Sequence, residues 1–175
     1  MFPGYNKGET TQRIASGVFA EISGYEYGIQ FASNYIPGEF VPHVRIMTTG
    51  YEDVESAKSF ALPYIVLRNP HPYDTTTLHY NWQIWETKAF SIFTNQTETI
   101  DQKGATEAVL NVLNFLADKD IIEFSSHKGY ISSIINDLRK IKYSRNFSKN
   151  YRNKKNCQKR RNSCKYFKSI RLFHR

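Results

Sequence analysis

The chain has 175 residues, 40% hydrophobic and 23% charged, with a formal net charge of +8. Its apolar residues are dispersed, and no run approaches the roughly 20 residues of a membrane-spanning helix; Pro3, Gly4, Gly8 and Glu9 stand where a secretory leader needs a basic start and an apolar stretch. A soluble, non-secreted protein without a transmembrane segment is expected, and Cys157 and Cys164 lack the paired ligands of a zinc site.

The charge divides into two texts. Fifteen of the 24 Lys and Arg residues lie in 139–175, which holds no Asp or Glu, leaving nine basic against sixteen acidic residues in 1–138. The tail's Lys154, Lys155, Lys159, Arg160 and Arg161, interleaved with Tyr151, Tyr166, Phe167 and Phe173, could neutralise phosphates while the rings stack on bases. A run of like charges repels itself and cannot bury a core, so 139–175 is expected to be a basic disordered tail. The same stretch lacks Gly, Ala, Val, Asp and Glu, whose codons all begin with G. That absence favours out-of-frame sequence, in which case the tail has no nucleic-acid role. The expected organisation is one domain over 1–138, long enough to bury a core, followed by the tail.

In chain order, residues 13–31 read as a hairpin, with strands at 18–22 and 27–31 around Ser23-Gly24-Tyr25-Glu26. Residues 40–48 resume the strand pattern, Pro42 favouring an edge or a strand start. Residues 52–60, three acids followed by Ala57 and Lys58, suit one or two helical turns. Residues 62–67 form a compact apolar run, a buried strand entering an exposed loop at 69–77. Residues 80–93 give the longest strand signal: Tyr80, Trp82, Ile84, Phe90 and Ile92 share one face, and Asn81, Gln83, Thr87, Ala89 and Ser91 the other. Thr99-Ile100-Asp101-Gln102 resembles a capping box opening a helix with an apolar stripe of Ala105, Ala108, Val109, Val112, Leu113 and Leu116. Residues 121–124 suggest a short strand, and Ile131, Ile134, Ile135, Leu138 and Ile141 a second amphipathic helix. The sum is α+β: a mostly antiparallel sheet with one or two amphipathic helices packed on one face.

Glu86 and Lys88 fall on the apolar face of the expected 80–93 strand, where charges are costly unless paired or functional. Glu86-Thr87-Lys88, with Asp74 twelve residues upstream of Glu86, resembles the strand motif of restriction-like nucleases. That resemblance implies a Mg²⁺ ion held by Asp74 and Glu86, with Lys88 positioning the attacking water. The plainer reading is a solvated ion pair. His71 and His79 read as loop polarity rather than metal ligands. No Ser or Cys nucleophile motif appears, and the glycine spacing supports no nucleotide cofactor.

From residue 62 to 117, the run Leu62-Pro63-Tyr64-Ile65-Val66-Leu67, a variable loop, the strand Tyr80-Asn81-Trp82-Gln83-Ile84 and the helix from Thr99 resemble tail-terminator and head-to-tail connector proteins of tailed bacteriophages. That likeness implies a non-enzymatic assembly protein without cofactors, located in the virion or host cytoplasm. Its partners would be its own copies in a homo-oligomeric ring and other virion proteins, and the twelve Tyr and twelve Phe residues offer interface anchors. The alternatives are the Mg²⁺-dependent nuclease and a nucleic-acid-binding protein acting through its basic arm.

Overall fold

The computed structural model describes residues 1–34, 40–94, 99–125 and 129–136. The basic stretch 139–175, with Lys154, Lys155, Lys159, Arg160 and Arg161, lies outside the described residues, as do 137 and 138.

The fold is α+β. Its strands are β1 (Tyr27–Ala32), β2 (His43–Met47), β3 (Tyr64–Arg68), β4 (Lys88–Phe93) and β5 (Ser133–Asn136), in the sheet order β1-β4-β2-β3-β5. Among the described residues β1–β4, β2–β3 and β3–β5 pair in parallel, and only β2–β4 is antiparallel. The sheet is therefore mixed rather than mostly antiparallel: the helices are α1 (Thr10–Ile22), standing where the first strand of a hairpin was expected, α2 (Val54–Ala57), α3 (Leu78–Ile84), standing where the start of a long strand was expected, and α4 (Gln102–Asp118).

Helices pack on both faces. On one face Val44, Ile46, Ile65, Phe90 and Ile92 meet Ala57, Phe60, Leu62, Ala108 and Phe115. Phe60 lies nearly parallel to Phe115 at 4.3 Å between centroids, and Phe90 sits edge-on to both, at 5.2 and 5.3 Å. All three rings are fully buried, so α4 is held chiefly by aromatic packing. Its buried line runs through Gly104, Ala108, Asn111, Asn114 and Phe115, whereas Ala105 and Val109 are exposed. Its N-cap is Asp101, which accepts from Lys103 N.

On the other face Phe19 of α1 and Trp82 of α3 pack against Ala89. Residues 13–22 are helical, not a strand, because Ala15, Phe19 and Ile22 recur at helical spacing and a reciprocal Glu9–Gln12 capping box satisfies the first turn. The expected strand at 80–87 is likewise α3, started by the Thr77 side chain. It buries His79, Trp82 and Gln83 at i, i+3 and i+4, and the chain reverses through Glu86, whose φ of 66° is left-handed. Residues 133–136 form β5 instead of a helix: the β-branched pair Ile134-Ile135 joins the ladder of β3, Ser133 N donates to Pro63 O, and Tyr130 N donates to Ala61 O. Residues 121–124 are not a strand. Several expectations hold. β1 matches its forecast, Pro42 precedes the start of β2, Asp53 caps α2 through Ser56 N, and β3 is the buried strand after Leu62.

Gly28 on β1 shows how tightly this second layer sits. A Cβ there would lie 2.7 Å from Trp82 Cε3 and 3.1 Å from Thr87 Cγ2, while the indole is anchored by Nε1 donating to Ile22 O at 3.0 Å. Gly28→Ala is expected to destabilise the fold by about 1–3 kcal/mol, read as a lowered denaturant midpoint.

Candidate functional site

The register aligns Gln30, Ser91, Arg45 and Val66 in one row across the sheet, and Ala32, Phe93, His43 and Tyr64 in the next. Their side chains stand on the face opposite the phenylalanine core, because neighbours along a strand point to opposite sides. This face is polar at its centre.

His79, 1% exposed on α3, reaches down to it. Its Nε2 lies 3.3 Å from Met47 N and its Nδ1 lies 2.7 Å from Ser91 Oγ. A backbone N–H can only donate, so Nε2 accepts, and Nδ1 carries the proton that goes to Ser91 Oγ. Ser91 Oγ also accepts from Gln30 Nε2 at 2.7 Å. A Ser–His pair of this polarity cannot activate the serine, since the imidazole already holds its proton on the side facing the hydroxyl. Gln83 Nε2 donates to Met47 O at 3.0 Å. Two side chains of α3 thus hold both polar groups of one residue at the end of β2, beyond the point where the antiparallel ladder with β4 stops at Arg45.

Toward the other end of β2, His43 is buried with Nδ1 donating to Val41 O at 2.9 Å, and its ring stacks on Phe93 at 4.8 Å and 2°. The Arg45 guanidinium lies 3.9 Å from the centre of the same Phe93 ring. With Nδ1 committed, His43 Nε2 presents a lone pair. That atom and Asn34 Nδ2 are both buried and have no hydrogen-bond partner among the described residues. Both residues lie where β1 and β4 end and β2 begins.

Burial, reinforced by the Arg45 charge, pushes His43 down to about 3. Burial likewise pushes His79 down to about 4, with Gln83 opposing and Arg45 assisting. Both rings are neutral near pH 7. An unfolded chain protonates them near 6.5, so full stability is present above that value and is lost as the pH falls toward 4. Each group contributes a slope of up to about 1.4 kcal/mol per pH unit in that window. Denaturant titrations from neutral to acid pH are expected to show this loss, and His79→Gln is expected to flatten it.

Asp74, which the nuclease resemblance implied as a metal ligand and which was expected on an exposed loop, lies in a 3₁₀ turn (Pro72–Thr76) and is 4% exposed. Its Oδ2 accepts from Arg68 Nη2 at 2.9 Å and from His71 N at 2.8 Å. Glu86 stands in the turn between α3 and β4, not on a strand face. Lys88 opens β4 and pairs with Glu26 at 2.9 Å and Asp53 at 3.9 Å, which raises its own pKa through the Glu26 hydrogen bond and lowers that of Glu26. Asp74 and Lys88 are each committed to other partners, and no group of three His, Cys, Asp or Glu able to hold a metal occurs among the described residues. His79 is a central buried group rather than loop polarity. Its signal was the helical spacing of His79, Trp82 and Gln83, which the alternation of Tyr80, Trp82 and Ile84 masked.

No protein-family profile and no curated protein sequence matches the chain. Solved structures do. A succinylglutamate desuccinylase/aspartoacylase from Rhodobacter sphaeroides matches with TM-score 0.63 at 14% identity, over 78% of this chain and 44% of that one. The apo ectoine utilization protein from Ruegeria pomeroyi gives 0.62 at 16% identity, over 78% and 45%, and a succinylglutamate desuccinylase from Silicibacter gives 0.61 at 14%, over 77% and 43%. The likeness is one of fold, and the chain spans less than half the length of these proteins.

These neighbours overturn the resemblance to phage tail-terminator and connector proteins, and with it the non-enzymatic virion role. The physical reason lies in Tyr80–Ile84: the strand on which that resemblance leaned is helix α3. Among the described residues no helix is long and apolar enough to cross a membrane.

Proposed function

We propose that this chain belongs to a hydrolase that cleaves the amide bond between an acyl group and an amino acid, with residues 1–138 forming one domain. The observation that carries this reading is the shared fold with proteins named desuccinylase or aspartoacylase, at TM-scores of 0.61 to 0.63 over more than three quarters of the chain. The polar sheet face supports it. Open α/β sheets receive ligands beyond the carboxyl ends of their strands, and the parallel strands β1 and β4 have their carboxyl ends at this side of the sheet.

Substrates of this class carry carboxylates and a secondary amide. The Arg45 guanidinium suits a carboxylate. The Asn34 carboxamide and the His43 Nε2 lone pair complement an amide C=O and N–H respectively. In this reading neutral His43, its one ring proton held on Nδ1 by Val41 O, accepts a hydrogen bond at Nε2 and orients the substrate near pH 7. Hydrolysis adds water to the carbonyl carbon, breaks the C–N bond and delivers a proton to the departing amine.

The 175-residue chain incubated with N-succinylglutamate or N-acetylaspartate, with and without added divalent cations, is expected to release free amino acid above the protein-free blank. His43→Ala and Asn34→Ala are expected to reduce that release at least about tenfold, the order of a lost hydrogen bond to a bound group, and Glu86→Ala to leave it unchanged. Folded protein that releases nothing from either substrate contradicts the proposal.

A further inference from the structure

β1 ends the sheet, and its only ladder among the described residues is the unbroken six-residue register with β4. Its sequence, Tyr-Gly-Ile-Gln-Phe-Ala, has no charge, no proline and no bulge. Sheets usually protect an edge with charged side chains, prolines, bulges or very short strands. The opposite edge, β5, has only four residues. On β1 the charged neighbour Glu26 lies just outside the strand and is paired with Lys88. Phe31, 58% exposed, stands on the same face as Tyr27 and Ile29, which pack on the phenylalanine core.

We propose that β1 is an interface to a second copy of this chain, the two edges pairing antiparallel about a two-fold axis to give a continuous ten-stranded sheet. The strand is self-complementary in that arrangement. With Ile29 opposite its own copy, Tyr27 falls opposite Phe31 and Gly28 opposite Gln30, so the aromatic and aliphatic side chains of both copies meet on one face and no like charges oppose. The contact covers the exposed Phe31 ring with the partner's Tyr27, an aromatic cross-strand pair of the stabilising kind, and an isologous interface closes at two copies. The inference rests on the strand edge and is independent of the hydrolase reading.

Light scattering coupled to size exclusion tests it on the full chain. The expected mass is twice the 20.4 kDa of one chain. Phe31→Lys and Phe31→Asp are expected to shift the protein to a single chain with an unchanged circular dichroism spectrum, and Ile134→Lys on β5 to leave two. A wild type that elutes as one chain at every concentration, or as any larger assembly, overturns the proposal. So does a two-chain species that survives both Phe31 substitutions, or one that Ile134→Lys dissolves.

Discussion

The centre of this fold depends on a clamp between a seven-residue helix and one residue of the sheet, Met47. α3 is too short to be stable alone in water, yet His79 accepts from Met47 N and Gln83 donates to Met47 O, so its buried side chains act as a substitute strand partner where β4 has diverged from β2. The clamp works only with a neutral imidazole, because a protonated ring cannot accept the Met47 N–H. Its burial enforces that state, and its Nδ1 proton ties the helix to Ser91 and through it to Gln30 on β1. One histidine thereby links α3 to three strands.

The two sheet faces divide the work. The Phe60–Phe90–Phe115 face is dry and apolar and supplies most of the hydrophobic stabilisation. The opposite face carries Gln30, Ser91, Arg45, His43 and Asn34, polar groups that an ordinary core would exclude. At the α3 end the clamp engages Ser91 and, through it, Gln30, although Gln83 Oε1 is itself buried without a described hydrogen-bond partner. At the end nearer Val41, His43 Nε2 and Asn34 Nδ2 are likewise buried without one. The proposed hydrolase reading draws on the latter pair, within a fold that by itself implies no function.

Much of the architecture was legible in the residues. The α+β class, β1, β3, the short helix capped by Asp53 and the existence of α4 follow from periodicity and punctuation. What failed was the choice of period in short segments. Tyr80, Trp82 and Ile84 alternate as a strand should, but the burial that decides the matter is that of His79, Trp82 and Gln83. Residues 13–22 and 131–136 show the same ambiguity in opposite directions, with tertiary packing choosing helix for one and β3's open ladder choosing strand for the other. The site was hidden for a related reason. Glu86 and Lys88 drew notice as charges on one long strand, whereas Asn34, His43 and Arg45 come to one end of neighbouring strands only once β4 pairs in parallel with β1 and antiparallel with β2.

The most direct test of the clamp is the protonation of His79, read from the ¹⁵N shifts of its two imidazole nitrogens in uniformly labelled protein. The account predicts a protonated Nδ1 and a bare, hydrogen-bonded Nε2 that persist as the pH falls below 6.5, with titration near 4. A proton on Nε2 at neutral pH, or titration near the ordinary histidine value of about 6.5, would contradict it, since neither state can hold the end of β2 as described.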